Sequence, residues 1–336
     1  MRLLHEKYRQ GVSILHGGTY TWGLCIGIMS GLLWGINNFL FARGYEQLPS
    51  SQIASGLDAF SLAIIVPVVC ATINDICAAA ALLVFNGFRG ILSVVRSHLF
   101  TKAGFFVCLA ALLGGPVGQS AYFLGIAFAG PSAALIITAT YPIIGCILSY
   151  FFLHQRITGR MWFGIVISVV GAIFVGYMPE EGAYTFFLSG LLCACLAAFC
   201  WGSEVVLSYY GMTDMDPDVA ITLRECISGG VLMFAVVITG SLSMLREIIE
   251  IPSGISLLSG AGIIAGFSYL MWYAANKRIG CARGMAANST YVIWGVLLNA
   301  LVVGWESVSA QTIAGCVCVL TGVILVSLTS GEVEDV

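Results

Sequence analysis

The stretch GLLWGINN at residues 31–38 recurs as AFCWGSEV at residues 198–205, and this recurrence decides the fold. Each copy contains a Trp-Gly pair, and the two tryptophans, Trp34 and Trp201, are 167 residues apart. A unit that occurs twice in one chain indicates a duplicated architecture. We therefore expect two similar halves, with the two tryptophans in equivalent positions.

A second match joins the later parts of the two halves. TATYPIIG at residues 138–145 resembles NSTYVIWG at residues 288–295, with an offset of 150 instead of 167. The difference predicts a longer loop in the first half, around residues 74–102. The larger offset also pairs Asn37 with Glu204, and Asp58 with Glu225.

The composition indicates a membrane protein. Of the 336 residues, 59% are hydrophobic and only 9% are charged, whereas soluble domains carry about 25% charged residues. The net charge of -3 and the lack of a basic run argue against a nucleic-acid partner. The 12 cysteines have no metal-binding spacing, so we expect them to pack between helices and expect no metal or cofactor.

Ten apolar segments are long enough to cross a bilayer, which needs about 20 residues per helix. They lie at 22–42, 53–73, 104–126, 132–153, 158–177, 185–210, 219–240, 255–276, 284–303 and 309–328. The apolar residues 78–88 are too few to span alone, so they either extend the second helix or lie in the membrane interface. The predicted fold is an all-α membrane protein of ten transmembrane helices.

Five spans in each half, an odd number, require the second half to run through the membrane in the opposite direction. The predicted organisation is a cytosolic tail (1–21), a first repeat (22–177), an inverted second repeat (185–328) and an acidic cytosolic tail (329–336). The N-terminus lacks the pattern of a signal peptide. Inverted repeats with a binding site at the membrane midplane are a transporter architecture.

Basic residues orient the spans, because Lys and Arg near span ends are retained in the cytoplasm. With both termini inside, 11 of the 14 Lys and Arg residues are cytoplasmic. Arg43 and Arg246 are outside, and Arg224 is expected near a membrane interface. The predicted topology has both termini in the cytoplasm.

Four ionisable residues within the spans are candidates for function, because such groups are costly in a membrane and usually face a cavity. Glu204 is the deepest and shares a helix face with Trp201 and Ser208. It is either a counter-charge or proton carrier, or a protonated side chain bonded to a neighbouring helix. The other three, Asp58, Arg224 and Glu225, are candidates for coupling or gating, although a structural ion pair remains open. Arg224 and Glu225 point roughly 100° apart on their helix and need not pair.

Aromatic residues inside the spans form the other half of the candidate site. Those expected to bind substrate, besides Glu204, are Trp34, Trp201, Tyr269, Trp272, Tyr291 and Trp294. Rings around one carboxylate suit a quaternary ammonium ion, which has no N–H to donate and is held by each ring face with about 0.5–2 kcal/mol. The alternative is that the rings only pack the helix bundle.

The third span contains LLGGPVGQ at residues 112–119. Gly-Gly-Pro is expected to kink or break this helix, and its freed carbonyls then need protein or water as partners. A hinge or a site wall is one interpretation, and close helix packing through small residues is the other.

Several segments resemble one transporter family. TATYPIIGCILSYFFLHQRI (138–157), GLLCACLAAFCWGSEVVLS (190–208) and NSTYVIW (288–294) are similar to the LicB-type bacterial choline permeases of the drug/metabolite transporter superfamily, in its EamA-type branch. The resemblance implies a choline importer with an aromatic box formed by Trp34, Trp201, Tyr269 and Tyr291, with Glu204 beside them. The pair Trp272-Tyr273 departs from the tyrosine pair expected in that family.

The sequence thus predicts an importer of choline or a related quaternary ammonium ion, driven by membrane potential, protons or both. The expected place is a bacterial inner membrane, the expected partners are a small cation and the lipid bilayer, and a homodimer is left open. The main alternative is an exporter of amino acids, amines or drugs. An enzyme is not expected, because all four histidines lie outside the spans or at their ends.

Overall fold

The computed structural model describes residues 17–48, 59–176 and 186–327, and these residues form helices without any strand. Within these ranges, ten helices or helix pairs are long and apolar enough to cross a membrane, which confirms the predicted fold class. The first half contains α1 (Gly17–Glu46), α2 (Ala59–Phe88), α3 (Leu92–His98), α4 (Lys102–Leu112), α5 (Gly118–Ala129), α6 (Pro131–Thr138), α7 (Tyr141–Leu153) and α8 (Gly159–Gly176). The second contains α9 (Phe187–Gly211), α10 (Pro217–Ile238), α11 (Leu242–Ile249), α12 (Pro252–Ile279), α13 (Cys281–Asn288), α14 (Tyr291–Val303) and α15 (Ala310–Ser327).

The second span differs from its predicted position at 53–73. Helix α2 continues without interruption to Phe88, so residues 78–88 extend this helix instead of lying in the interface. Asp75 consequently lies in the interior of a span. Helix α1 begins at Gly17, inside the predicted tail 1–21. Asp58 and the tail 329–336 lie outside the described residues.

From the end of α2 onward, the helix bounds of the two halves recur with an offset of 150 residues, to within one residue. Gly90 and Gly130 have φ angles of 70° and 86°, and Gly240 and Gly280 have 72° and 83°. Pro67, inside α2, corresponds to the first residue of α10. The extra residues of the first half therefore lie before Pro67, in the connection after α1 and in the first eight residues of α2, and the predicted long loop at 74–102 is wrong. The inverted orientation of the second half stays a prediction.

The fourth and ninth spans are each broken in the middle. The breaks at Thr140 and Thr290 separate α6 from α7 and α13 from α14. Each threonine hydroxyl donates to a carbonyl of the preceding half-helix, Thr140 to Ile137 at 2.6 Å and Thr290 to Ala287 at 2.8 Å. A tyrosine begins the second half-helix in both spans. Broken spans of this kind form the midplane sites of many transporters.

Helix α1 packs along α12 and α14 of the other half. The Ser268 hydroxyl donates to the Ser30 carbonyl at 2.9 Å, and the Asn288 amide donates to the Ser30 hydroxyl at 2.8 Å. Asn37, which the sequence pairs with Glu204, donates its amide to the Ala261 carbonyl at 2.9 Å. These bonds hold the first helix of one half against the eighth and ninth spans.

Candidate functional site

A buried charge cluster of three carboxylates and one guanidinium lies between α2, α9 and α10. Arg224 Nε donates to Glu204 Oε1 at 2.8 Å, and Arg224 Nη1 donates to Glu225 Oε1 at 2.7 Å. The same Nη1 lies 4.0 Å from Asp75 Oδ2. The four side chains are at most 5% exposed. We call Asp75, Glu204, Arg224 and Glu225 the charge cluster.

Hydrogen bonds and close packing with α5, α10 and the turn Leu113–Val117 between α4 and α5 support the carboxylates. The Ser228 hydroxyl donates to Asp75 Oδ2 at 2.6 Å, and Gln119 also hydrogen-bonds the Asp75 side chain. A Cβ on Gly114 would overlap the Glu204 carboxylate, and one on Gly115 would overlap the Ser228 hydroxyl. The two glycines thus allow the backbone of the third span to lie directly against the cluster.

The structure shows where the predicted ionisable residues lie and corrects one expectation about them. Glu204 is buried within its span, as expected. The expectation that Arg224 and Glu225 need not pair is wrong, because both side chains turn toward the same buried point. Arg224 is also fully buried within the bundle. The third carboxylate of the cluster belongs to Asp75. The sequence analysis singled out only Asp58 as a candidate ionisable residue in the first half.

The first ring group extends along α12 from the charge cluster. It consists of Trp34, Tyr269, Trp272 and Tyr273. The ring centroids of Trp34 and Tyr269 are 4.9 Å apart, those of Tyr269 and Trp272 are 6.3 Å apart, and those of Trp272 and Tyr273 are 5.8 Å apart. The Arg224 guanidinium lies 4.8 Å from the centroid of the Tyr269 ring, so this group directly adjoins the charge cluster.

The second ring group surrounds Trp201 and consists of Trp201, Tyr122 and Tyr141. The Trp201 centroid lies 5.4 Å from that of Tyr122 and 6.4 Å from that of Tyr141. Trp201 Nε1 donates to the Gly114 carbonyl at 3.0 Å. This carbonyl belongs to the π-helical turn Leu113–Val117, so the predicted interruption of the third span is present and one carbonyl there is bonded by a ring of the site.

Glu204 lies between the two ring groups. It is within electrostatic range of Tyr141 in the second group and of Tyr269 and Tyr273 in the first. Ser208, which was predicted to share a helix face with Glu204 and Trp201, hydrogen-bonds the Tyr273 hydroxyl at 2.7 Å. One carboxylate is therefore within electrostatic range of aromatic rings from both halves of the chain.

The two predicted ring residues of the ninth span lie next to α1 and the second ring group. Tyr291 is within electrostatic range of Tyr122 and Tyr141. Gly35 of α1 packs against this turn, where a Cβ would lie 2.8 Å from Trp294 Cβ and 3.0 Å from the Tyr291 carbonyl oxygen. In the described part of the chain, the buried Trp294 Nε1 has no hydrogen-bond partner.

The internal repeat contains a signal for the residues that the sequence analysis missed. At the offset of 150, Asp75 corresponds to Glu225, Tyr122 to Trp272 and Tyr141 to Tyr291. Each missed residue is therefore the counterpart of a predicted one.

Comparisons with known proteins agree with this architecture. A model of the EamA-like transporter family matches residues 21–177 and 188–328. Protein LicB of Haemophilus influenzae is 26% identical over 92% of this chain and 99% of its own length. The uncharacterized transporter YoaV of Bacillus subtilis is 23% identical over 90% of this chain and 96% of its own. A crystal structure with 16% identity superposes with a TM-score of 0.69 over 94% of this chain and 99% of that chain, which supports the fold.

Proposed function

Because the chain belongs to the EamA-like transporter family, we propose that it imports choline or a related quaternary ammonium ion across a bacterial inner membrane. The cation binds near Glu204, between the two ring groups, and is released on the other side by alternating access. Substrate-binding roles are assigned to Trp34, Trp201, Glu204, Tyr269, Trp272, Tyr291 and Trp294. The observation that carries the proposal is a buried carboxylate within electrostatic range of rings from both halves.

The ring groups support a cation without N–H donors. A quaternary ammonium ion gains little from hydrogen-bond acceptors, whereas each aromatic face attracts it through the ring quadrupole. Tyr141, Tyr269 and Tyr291 retain part of their accessible surface although they lie inside the bundle. Rings that are surrounded by protein and still partly accessible are suited to line an internal binding space.

The charges of the cluster support the same substrate class. With all four groups ionised, three carboxylates and one guanidinium carry a net charge of -2, which a bound cation reduces. In the described residues, Glu225 Oε2, Gln119 Oε1 and Trp272 Nε1 are buried without a hydrogen-bond partner, and such atoms usually indicate water or a ligand. An amino-acid substrate is less favoured, because carboxylates of the protein already engage Arg224 Nε and Nη1.

The similarity to Protein LicB over nearly the whole chain supports choline as the first substrate to test. An inside-negative membrane supplies about 2.3 kcal/mol per 100 mV for one positive charge, which is roughly fifty-fold accumulation. Uptake can therefore proceed without proton coupling. If protons contribute, we expect them to bind at the charge cluster, which contains Glu225 and Arg224 of the predicted coupling or gating residues together with Asp75. Asp58, the third predicted residue, lies outside the described residues and stays a candidate.

The test is uptake of labelled choline into proteoliposomes with an imposed inside-negative potential. We expect saturable uptake, competed by tetramethylammonium. The variant Glu204→Gln is expected to lose uptake by at least about tenfold, since it removes the negative charge that is within electrostatic range of rings in both ring groups. The matched control is Glu250→Gln, because Glu250 is an exposed acid outside the charge cluster. Unchanged uptake by Glu204→Gln would refute the counter-charge role.

The same vesicles test the alternative of an exporter by its substrates. A carrier loaded with choline inside and held at an inside-positive potential runs in reverse, so the direction of transport does not identify the substrate. Transport of labelled amino acids or hydrophobic amines, without transport of labelled choline, would favour the exporter and overturn the choline assignment.

A further inference from the structure

Arg224 contacts the same groups that a substrate cation would contact. Its guanidinium bonds Glu204 at 2.8 Å and lies 4.8 Å from the centre of the Tyr269 ring. A carboxylate and an aromatic face are the two elements of the proposed cation site. The positive charge of the protein itself therefore lies where the positive charge of the substrate is expected.

Arg224 has other partners within the same cluster. Its Nη1 bonds Glu225 at 2.7 Å and lies 4.0 Å from Asp75 Oδ2. The distance to Asp75 is too long for a hydrogen bond, so a small movement of the guanidinium toward α2 would improve that contact. Asp75 is already held toward the cluster by the Ser228 hydroxyl at 2.6 Å.

We infer that Arg224 is a tethered competitor for the substrate, which leaves Glu204 and moves toward Asp75 and Glu225 when a free cation binds. The inference rests on the proposed function and specifies how the site exchanges its charge. With Glu204 released to the substrate, the guanidinium keeps two carboxylate partners on α2 and α10. The cluster then holds two cations with three carboxylates and has a net charge of -1.

Such an exchange limits how tightly the substrate binds. A buried carboxylate without a cation is strongly destabilised, and Arg224 neutralises Glu204 whenever no substrate is present. Substrate therefore has to displace an existing ion pair, which weakens its binding and favours its release. A residue with this role sets affinity and specificity without being consumed or transported.

The decisive measurement is equilibrium binding of labelled choline to the purified full-length protein. Arg224→Gln is expected to bind choline about tenfold more tightly than wild type, because a competing charge a few ångströms away is removed. Asp75→Asn is expected to bind choline more weakly, by about threefold or more, because Arg224 loses a place to which it withdraws. Arg246→Gln and Glu250→Gln, which alter an exposed ion pair, serve as matched controls and are expected to bind as wild type.

These directions distinguish exchange from a purely structural role. Structural damage lowers affinity in both cluster variants, whereas exchange raises it in one and lowers it in the other. Weaker or unchanged binding by Arg224→Gln, in protein that retains a cooperative thermal transition, would overturn the inference. Wild-type affinity of Asp75→Asn would overturn it as well.

A second measurement does not depend on choline. Arg224→Ala leaves a space lined by carboxylates and the Tyr269 ring, and guanidinium ion added at millimolar concentration is expected to raise the thermal transition of this variant more than sodium ion does. Wild type is expected to show no such difference. If wild type binds no choline while guanidinium ion stabilises Arg224→Ala, the substrate assignment fails and the exchange site stands. If guanidinium ion acts no better than sodium ion on Arg224→Ala, the exchange site fails.

Discussion

Gly114 and Glu204 are in direct contact, so that the carboxylate lies where a side chain at residue 114 would begin. The contact joins the π-helical turn of the third span to the buried acid of the sixth. Gly114 also contacts Trp201, because the Gly114 carbonyl accepts a hydrogen bond from the Trp201 indole N–H at 3.0 Å. The backbone of the third span thereby sets the positions of the tryptophan and the glutamate.

We predict that Gly114→Ala reduces choline uptake by at least about tenfold. The added methyl group overlaps the carboxylate, and overpacking at a buried position costs about 1–3 kcal/mol, here through displacement of Glu204 from Arg224. Gly230→Ala is the matched control, since nothing lies within 4 Å of a Cβ at that helical position. Uptake is measured in proteoliposomes at equal protein content, and equal loss in both variants would contradict a specific role for Gly114.

The ring and the N–H of Trp201 are expected to make separate contributions to choline affinity. Trp201→Phe keeps an aromatic face and loses the bond to the Gly114 carbonyl, which is worth about 0.5–1.5 kcal/mol. Trp201→Leu also loses the ring face, worth about 0.5–2 kcal/mol toward a cation. We therefore predict that choline affinity falls in the order wild type, Phe, Leu. Binding titrations check this order, with Trp22→Leu as control because Trp22 is 60% exposed at the bundle surface. Equal affinities of the Phe and Leu variants would exclude a cation–π contribution from this ring.

The bundle itself depends on glycine contacts between α8 and α15. A Cβ on Gly171 would press against the Gly315 carbonyl, and one on Gly315 would press against the Gly171 carbonyl. We predict that Gly171→Ala destabilises the protein by about 1–3 kcal/mol through this backbone overlap. The midpoint of thermal unfolding in detergent checks the prediction. Gly159→Ala is the control, because nothing lies within 4 Å of a Cβ at this position at the start of the same helix, and it is expected to unfold at the wild-type midpoint. A wild-type midpoint in Gly171→Ala as well would show that the two helices can separate without cost.

The long apolar runs were sufficient to predict the helical fold, because a span needs only length and low charge. The repeated Trp-Gly pair was sufficient to find Trp34 and Trp201, since the duplication marks interior positions that an interfacial aromatic belt does not explain. The first prediction depends on local sequence alone, and the second needs only a comparison of two stretches of the chain. The second span was misplaced because Asn74 and Asp75 interrupt its apolar run and resemble a helix end.

The charge cluster was only partly predictable, because its members come from three helices. A carboxylate at residue 75 is tolerated inside a span only with Arg224 and Ser228 as partners, and nothing near it in sequence reveals them. The pairing of Arg224 with its neighbour Glu225 was missed for a related reason. Helix geometry separates adjacent side chains by roughly 100°, but two long side chains reach a common point when Glu204 and Asp75 draw the guanidinium inward.

The orientation of the two halves is the remaining prediction, and α3 and α11 offer a direct test. Both are short helices that follow a glycine with positive φ, and Ser97 and Glu247 hold equivalent exposed positions on them. If the second half is inverted and both termini are inside, Ser97 faces the cytoplasm and Glu247 faces outward. An impermeant maleimide added to intact cells should therefore label Glu247→Cys and not Ser97→Cys, relative to the unmodified chain with its own cysteines. After the membrane is opened, both variants should be labelled to the same extent. Labelling of both from outside, or of neither, would refute the inversion, because two equivalent helices on the same side require two halves that run in parallel.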